Sequence, residues 1–352
     1  MYTNDFLNEM RTQADPLADN LISYYFENAV RKVELRQIMA GLETNSDLIA
    51  CREQPQMKIL VDSASTLPVW AIKKSMIKGT LFFARYAQSI TQLLGLLSLP
   101  FCYAAADGAQ VLYLSEKIKN DPAKRLLDTA VFIWDVMAPD AFEPTGKGFS
   151  SILKIRLIHA AARYYTLAGK EWNDNWGRPI NQEDMAGTNL ALSFITVRGL
   201  RKLGISVAYA EQQHFIHLWN IIGSLSGINR TLLPDSGKDV NLLEESIRRR
   251  QFKTSAHGIA LTKSLIDYFN TVEFGSKKVK SSFLPLMRFL LGDETADLLN
   301  VPKLNLSETD LFALKTLNFL KEFKTSSSFE YQVQKKNFDQ FSKLVKTANL
   351  PG

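Results

Sequence analysis

The sequence predicts an all-α fold, and three observations predict it. Apolar residues recur at three- and four-residue spacing through almost every segment. No run of alternating apolar and polar residues is long enough to require a strand. Cap and breaker residues then divide the chain into about ten to twelve helices. With 352 residues and 46% hydrophobic content, the chain can bury a large core.

The first long periodic stretches cover 20–41 and 72–98. Within the second, Tyr86 to Ala106 carries no charge, but Gln88, Gln92 and Ser98 interrupt it and Pro100 breaks it. A buried helix is therefore expected there, with a membrane-touching segment as the alternative. Asp121 followed by Pro122 supplies an N-cap and a first helical residue for a helix ending near Pro139. The next helix covers 150–168. Asn181 with Asp184 opens a long one that stops near Gly204. Others fit 207–225, 241–251, 256–271 and 283–291, and the region 308–346 reads as two helices split at Thr325 to Ser328. No internal repeat and no Gly- or Pro-rich linker separates two halves. We expect one domain over 1–305 and a helical extension over 306–352, rich in Lys and Phe, docked on it.

Composition removes several function classes. The 42 basic and 36 acidic residues leave a small excess that is not gathered into a stripe, so nucleic acid is not an expected partner. Cys51 and Cys102 alone exclude a disulfide framework, a CxxC metal site and a covalent CxxCH haem attachment. The first twenty residues contain acids and no apolar h-region. The expected location is cytoplasmic without a signal peptide, with peripheral membrane contact as the alternative. Gly-rich phosphate loops and a G-x-S-x-G turn are missing, which sets nucleotide and acyl-transfer chemistry aside.

The segment GFSSILKIRLIHAAARYYTL holds the informative constellation. Arg156, His159 and Arg163 fall within about 60° of one helix face. The rest of that segment is mostly Ile, Leu and Ala, so the helix reads as buried. Two arginines and a histidine facing inward are costly to desolvate unless an anion meets them. A haem would supply propionates for the arginines and an iron for the imidazole. Ala160, Ala161 and Ala162 would let a flat macrocycle approach. The bland alternative is a hydrogen-bonded core histidine, with the arginines paired to acids such as Glu183 or Asp184. Glu211, His214 and His217 give one Glu-x-x-His, but a di-iron bundle wants two, and zinc wants a third ligand that is not evident. Helix packing is the expected role for that group.

Taken in order, Arg125-x-x-x-Thr129, Arg156-x-x-His159-x-x-x-Arg163, Trp176-Gly177-x-Pro179-Ile180-Asn181-Gln182, His217-x-Trp219 and LMRFLLGDETADLLNVP resemble the domain shared by latex-clearing proteins and MpaB-type oxygenases. RTQADPLADNLI and LPVW fit it too, so the resemblance covers roughly 11–305. It implies non-covalent haem b with His159 as the proximal iron ligand. Arg125 and Thr129 would lie beside the distal face or the propionates, and Arg288 would hold the haem-binding helices or meet a propionate. Two positions depart from the family. Asp128 stands where some latex-clearing proteins have a lysine that caps the iron. The stretch YAAADGAQ puts Ala109 or Gln110 where those enzymes use a distal glutamate, with Asp107 nearby. Asp107 or Asp128 is then the candidate distal proton acceptor.

The implied function is a haem b-dependent oxygenase acting with O₂ on an apolar alkene or isoprenoid-type substrate. A globin-like packing around the haem would suit it. The alternative is a haem-binding or gas-sensing protein without turnover. With no export signal in view, a terpenoid or lipid is a better expected substrate than rubber polymer.

Overall fold

Caps and prolines decide where this chain turns. In the computed structural model, which describes residues 2–115, 121–271, 277–309, 311 and 328–348, Asp15 accepts from the Ala18 N–H and Pro16 begins a helix. The helices are α1 Asn4–Thr12, α2 Pro16–Phe26, α3 Ala29–Gly41, α4 Leu48–Arg52 and α5 Pro55–Ser65. After them come α6 Lys73–Leu93, α7 Leu99–Ala104, α8 Ala106–Leu114, α9 Pro122–Val136 and α10 Gly148–Ala168. The chain continues through α11 Gln182–Leu192, α12 Phe194–Lys202, α13 Tyr209–Leu225, α14 Gly237–Gln251 and α15 Ala256–Thr271. Last are α16 Lys277–Leu291, α17 Asp293–Leu298 and α18 Ser328–Ala348. Among the described residues there is no strand, only an isolated bridge between Ala105 and Phe252.

The class is all-α as expected, but the helices are more numerous than the ten to twelve anticipated, because local side-chain chemistry breaks three long stretches. The expected helix over 20–41 is two. Asn28 caps α3 by accepting from the Val30 and Arg31 amides, so it interrupts the periodicity instead of continuing it. The stretch 182–204 breaks at Ser193, whose hydroxyl bonds back to the Asn189 carbonyl at 2.6 Å. The stretch 72–98 passes through a π-turn at Leu94–Ser98 into α7, where Pro100 sits in the first turn and its missing N–H costs nothing. Tyr86, Ile90, Leu93, Leu97 and Phe101 along that stretch are buried, so it is core. No helix among the described residues is long and apolar enough to cross a membrane.

Two packings organise the core. α6 lies against α13, and Gly79 makes their close approach necessary: a Cβ there would stand 2.8 Å from the His214 carbonyl oxygen and 2.9 Å from Leu218 Cβ. α10 packs against α2, α5, α8 and α9, and buries Ile152, Leu153 and Leu157 completely. α18 rests on α6 and α9. Its Tyr331 hydroxyl donates to the Trp134 carbonyl at 2.9 Å, and its Phe338 ring stacks on Trp134. The expected split at Thr325 to Ser328 lies outside the described residues, apart from Ser328 at the start of α18.

Within this apolar interior, Arg156 of α10 is 3% exposed, and its guanidinium makes four hydrogen bonds to three other segments. Nε and Nη2 donate to the two carboxylate oxygens of Asp15 at 2.7 and 2.8 Å. Nη1 donates to Ser63 Oγ of α5 and to the Leu225 carbonyl at the end of α13. Removing one member of such a pair leaves a buried charge without its partner. Asp15→Ala is expected to destabilise the protein by about 3–5 kcal/mol in urea unfolding, and the paired change Asp15→Leu with Arg156→Met by much less.

Candidate functional site

His159 sits on α10 between Arg156 and Arg163, half-buried. Burial pushes its pKa down to about 4, with Arg163 acting in the same direction and Asp15 opposing, so the ring is neutral near pH 7. A neutral imidazole has the lone pair a metal needs. The other three histidines each have a hydrogen-bond partner inside the protein. His214 Nδ1 shares a hydrogen bond with Ser75 Oγ at 2.8 Å, His217 Nε2 accepts from the Ile72 N–H at 3.0 Å, and His257 Nε2 meets the Ala106 carbonyl at 2.6 Å. Among the described residues His159 has no hydrogen-bond partner.

The anions expected for Arg156 and Arg163 are present, and they are protein carboxylates. Arg156 has Asp15, as described. Arg163 Nε donates to Asp19 at 2.6 Å and Nη1 to the Ile180 carbonyl, while its buried Nη2 has no partner. Glu183 and Asp184, expected as alternative partners, belong to Arg11, at 3.2 and 3.0 Å. Sequence reading missed Asp15 and Asp19. The segment ADPLADN places these two acids one turn apart across a Pro-initiated helix start, but that spacing does not say which helix they meet.

α9 packs on α10 and carries the next two candidates. The Arg125 guanidinium lies over the Tyr103 ring, 5.0 Å from its centre, and its buried Nη1 has no hydrogen-bond acceptor. Thr129 Oγ1 donates to the Arg125 carbonyl at 2.9 Å. Cys102 stays a thiol, its pKa pushed up to about 11 by burial against a partial offset from Arg125. An unpaired buried guanidinium nitrogen is expensive in apolar surroundings. Arg125 Nη1 and Arg163 Nη2 both lack an acceptor, which suits an acidic group brought by a ligand. A neutral, unbonded histidine one turn from Arg163 on the same helix, with a further unpaired guanidinium nitrogen on the neighbouring α9, has the donor types that a haem would use.

The remaining candidates are placed elsewhere. Asp128 is exposed and pairs with Lys124 at 3.0 Å, one turn back on α9. Its side chain points out because Leu127 and Ala130 take the inner positions. Asp107 lies between Arg11 at 3.8 Å and Lys253 at 4.0 Å. Ala109 is buried and Gln110 half-buried on α8. Arg288 holds α16 to α17, donating to Asp297 at 2.7 Å and to the Val301 carbonyl and pairing with Asp293. Glu211 pairs with Arg85, and among the described residues no group of three or more His, Cys, Asp or Glu could hold a metal ion.

The acids around Arg11 carry a pH dependence. Burial raises the Asp184 pKa to about 6, Arg11 lowers it, and Glu183 and Asp107 raise it. Between an unfolded value of 3.8 and a folded value of about 6, the native state binds the extra proton. The stability this adds is full below 3.8 and is lost as pH rises through 6. Asp184→Asn should therefore gain on the wild type by up to about 3 kcal/mol between pH 4 and pH 7, read from urea unfolding at both values.

With this geometry in hand, the chain can be compared with known proteins. The family described as ER-bound oxygenase mpaB/B'/Rubber oxygenase, catalytic domain, matches residues 81–320, well over half of the chain. A rubber oxygenase of Streptomyces sp. (strain K30) is 24% identical over 251 residues, which cover 70% of this chain and 61% of that protein. The match therefore spans less than two thirds of that relative's length. The solved structure of latex clearing protein LCP in its closed state superposes with a TM-score of 0.76 at 20% identity, covering 92% of this chain and 90% of that one. That likeness shows a shared fold. Arg125, Thr129, Arg156, His159, Arg163 and Arg288 all fall inside the matched region, and by that match the chain belongs to the family of mpaB and rubber oxygenase catalytic domains.

Proposed function

We propose that this protein is a haem b-dependent oxygenase that uses O₂ on an apolar alkene or isoprenoid-type substrate, with His159 as the proximal iron ligand. One observation carries the reading: His159 is neutral and half-buried, and it lacks the hydrogen bond that each of the other histidines makes. Family membership supplies the oxygenase class. When bound, haem b supplies an iron able to activate dioxygen.

The chain's own residues hold and orient. Arg156, anchored by Asp15, fixes the position of α10 and so of the imidazole one turn along. Burial, with Arg163 acting in the same direction, keeps that imidazole deprotonated, and the free Nη2 of Arg163, with Nη1 of Arg125, would receive acidic groups of the cofactor. Tyr103 and Cys102 beside Arg125 give an apolar wall suited to a hydrocarbon. Asp107 remains the candidate for a distal proton acceptor, whereas exposed Asp128 falls outside the proposal. A hydrophobic small molecule, a terpenoid or lipid, is the proposed substrate.

A second reading, a haem-binding or gas-sensing protein without turnover, draws on one observation. Asp107 and Asp128 both face basic partners, so each carboxylate is already engaged in an ion pair.

Purified protein expressed with haem supplied should show a Soret band with a ferrous CO form. His159→Ala should lose or shift it while keeping the helical circular-dichroism signal. A colourless wild type would overturn the cofactor assignment. Carbonyl products from an isoprenoid and O₂ would establish the oxygenase; a stable oxy complex without product would favour the binder.

A further inference from the structure

The turn before α6 displays apolar side chains on a braced frame. Pro68 accepts a hydrogen bond from the Ala71 N–H at 2.8 Å, which puts Val69 and Trp70 at the tip of a tight turn. Trp70 is held on two sides, with the Arg230 guanidinium 4.5 Å over its ring and the His217 ring edge-on at 5.9 Å. The Ile72 N–H is tied to His217 Nε2 at 3.0 Å. Val69 is nevertheless wholly exposed, and Ile72 and Ile77 are more than half exposed. Bracing holds these apolar groups in water where a loose turn could fold them away.

Charge is arranged around them in a way that helix stability does not explain. Lys73 and Lys74 occupy the first two positions of α6, the end at which the helix dipole favours acids. The cap residue Ile72 offers no side-chain hydrogen bond, and no acid stands in the first turn. Lys78 follows one turn after Lys74, and Ile77 one turn after Lys73, so all four share the exposed face while Ser75, Met76 and Gly79 turn inward. Among the described residues none of the three lysines has an ion-pair partner. The acids that face His214 and His217 nearby, Glu211 and Asp235, are already paired with Arg85 and Arg230.

We infer that the turn 66–72 and the outer face of the first turns of α6 form a docking surface for an anionic lipid bilayer. Val69, Ile72 and Ile77 enter the headgroup boundary, and Lys73, Lys74 and Lys78 meet the lipid charge. Charge complementarity selects this occupant, because an uncharged hydrocarbon surface would gain nothing from three unpaired lysines at a helix N-terminus. The inference is independent of the cofactor.

The full-length protein would be sedimented with vesicles of phosphatidylcholine alone or mixed with phosphatidylserine. Wild type should bind the mixed vesicles and be released by high salt. The combined change Lys73→Gln, Lys74→Gln and Lys78→Gln should weaken binding on the order of a hundred-fold, at about five-fold per lysine. Val69→Ser with Ile77→Ser should also lower affinity. Both variants alter only exposed positions and should keep the wild-type urea midpoint. The proposal is overturned by a wild type that ignores the mixed vesicles, by either variant binding as well as wild type, or by salt-independent adsorption to neutral vesicles or to a polyisoprene emulsion.

Discussion

The bidentate pair between Asp15 and Arg156 is the constraint on which the rest of the interior depends. Arg156 cannot be buried alone, so wherever α10 lies, the start of α2 must lie against it. The remaining guanidinium nitrogen then fixes Ser63 of α5 and the end of α13. α10 is therefore located by directional contacts as well as by apolar packing. Directional contacts specify a rotation about the helix axis that Leu and Ile packing alone leaves degenerate. His159 inherits that rotation, which matters for any group it would hold, because a ligand must be aimed to within a fraction of an ångström.

A second set of polar contacts extends the same logic along the N-terminal segment. Asp19 meets Arg163 two turns further along α10, and Arg11 meets Glu183 and Asp184 at the start of α11. Glu183, fully buried, is shared with Arg250 and Gln251 of α14. Charges of both signs are thus distributed over α1, α2, α10, α11 and α14 and neutralised within the fold. Against this background the unpaired nitrogens of Arg125 and Arg163 stand out, because neighbouring arginines show how readily this chain supplies a carboxylate.

How much of this was legible in the sequence depends on the range of the interaction concerned. Helix class and approximate extents follow from local periodicity, and α15 at Ala256–Thr271 was read to the residue. The caps at Asp121 and Asn181 were read correctly for the same reason, each bonding to a backbone amide three residues on. Breaks at Asn28 and Ser193 were missed because those residues are polar interruptions within an otherwise continuous apolar pattern. The shared face of Arg156, His159 and Arg163 was visible from spacing. Their partners were not: Asp15 and Asp19 lie far away in sequence, and spacing carries no information about contacts between helices. The side of α9 that Asp128 takes was hidden for a related reason, since a position next to Thr129 in sequence points to a different side of the helix.

The ion pairs that fix the N-terminal helices to α10 and α11 join residues separated by 141 to 173 positions. During synthesis at roughly 5–20 residues per second, α1 and α2 would wait on the order of ten to thirty seconds for their arginine and carboxylate partners to be made. Over that interval the buried side chains of α2, Leu21, Ile22 and Tyr25, can meet only α3 and α5 and not yet α10, their main neighbour in the finished protein. The clasp that holds the native state together is thus of high contact order. The polar residues of ADPLADN keep this waiting segment soluble before they become its anchors.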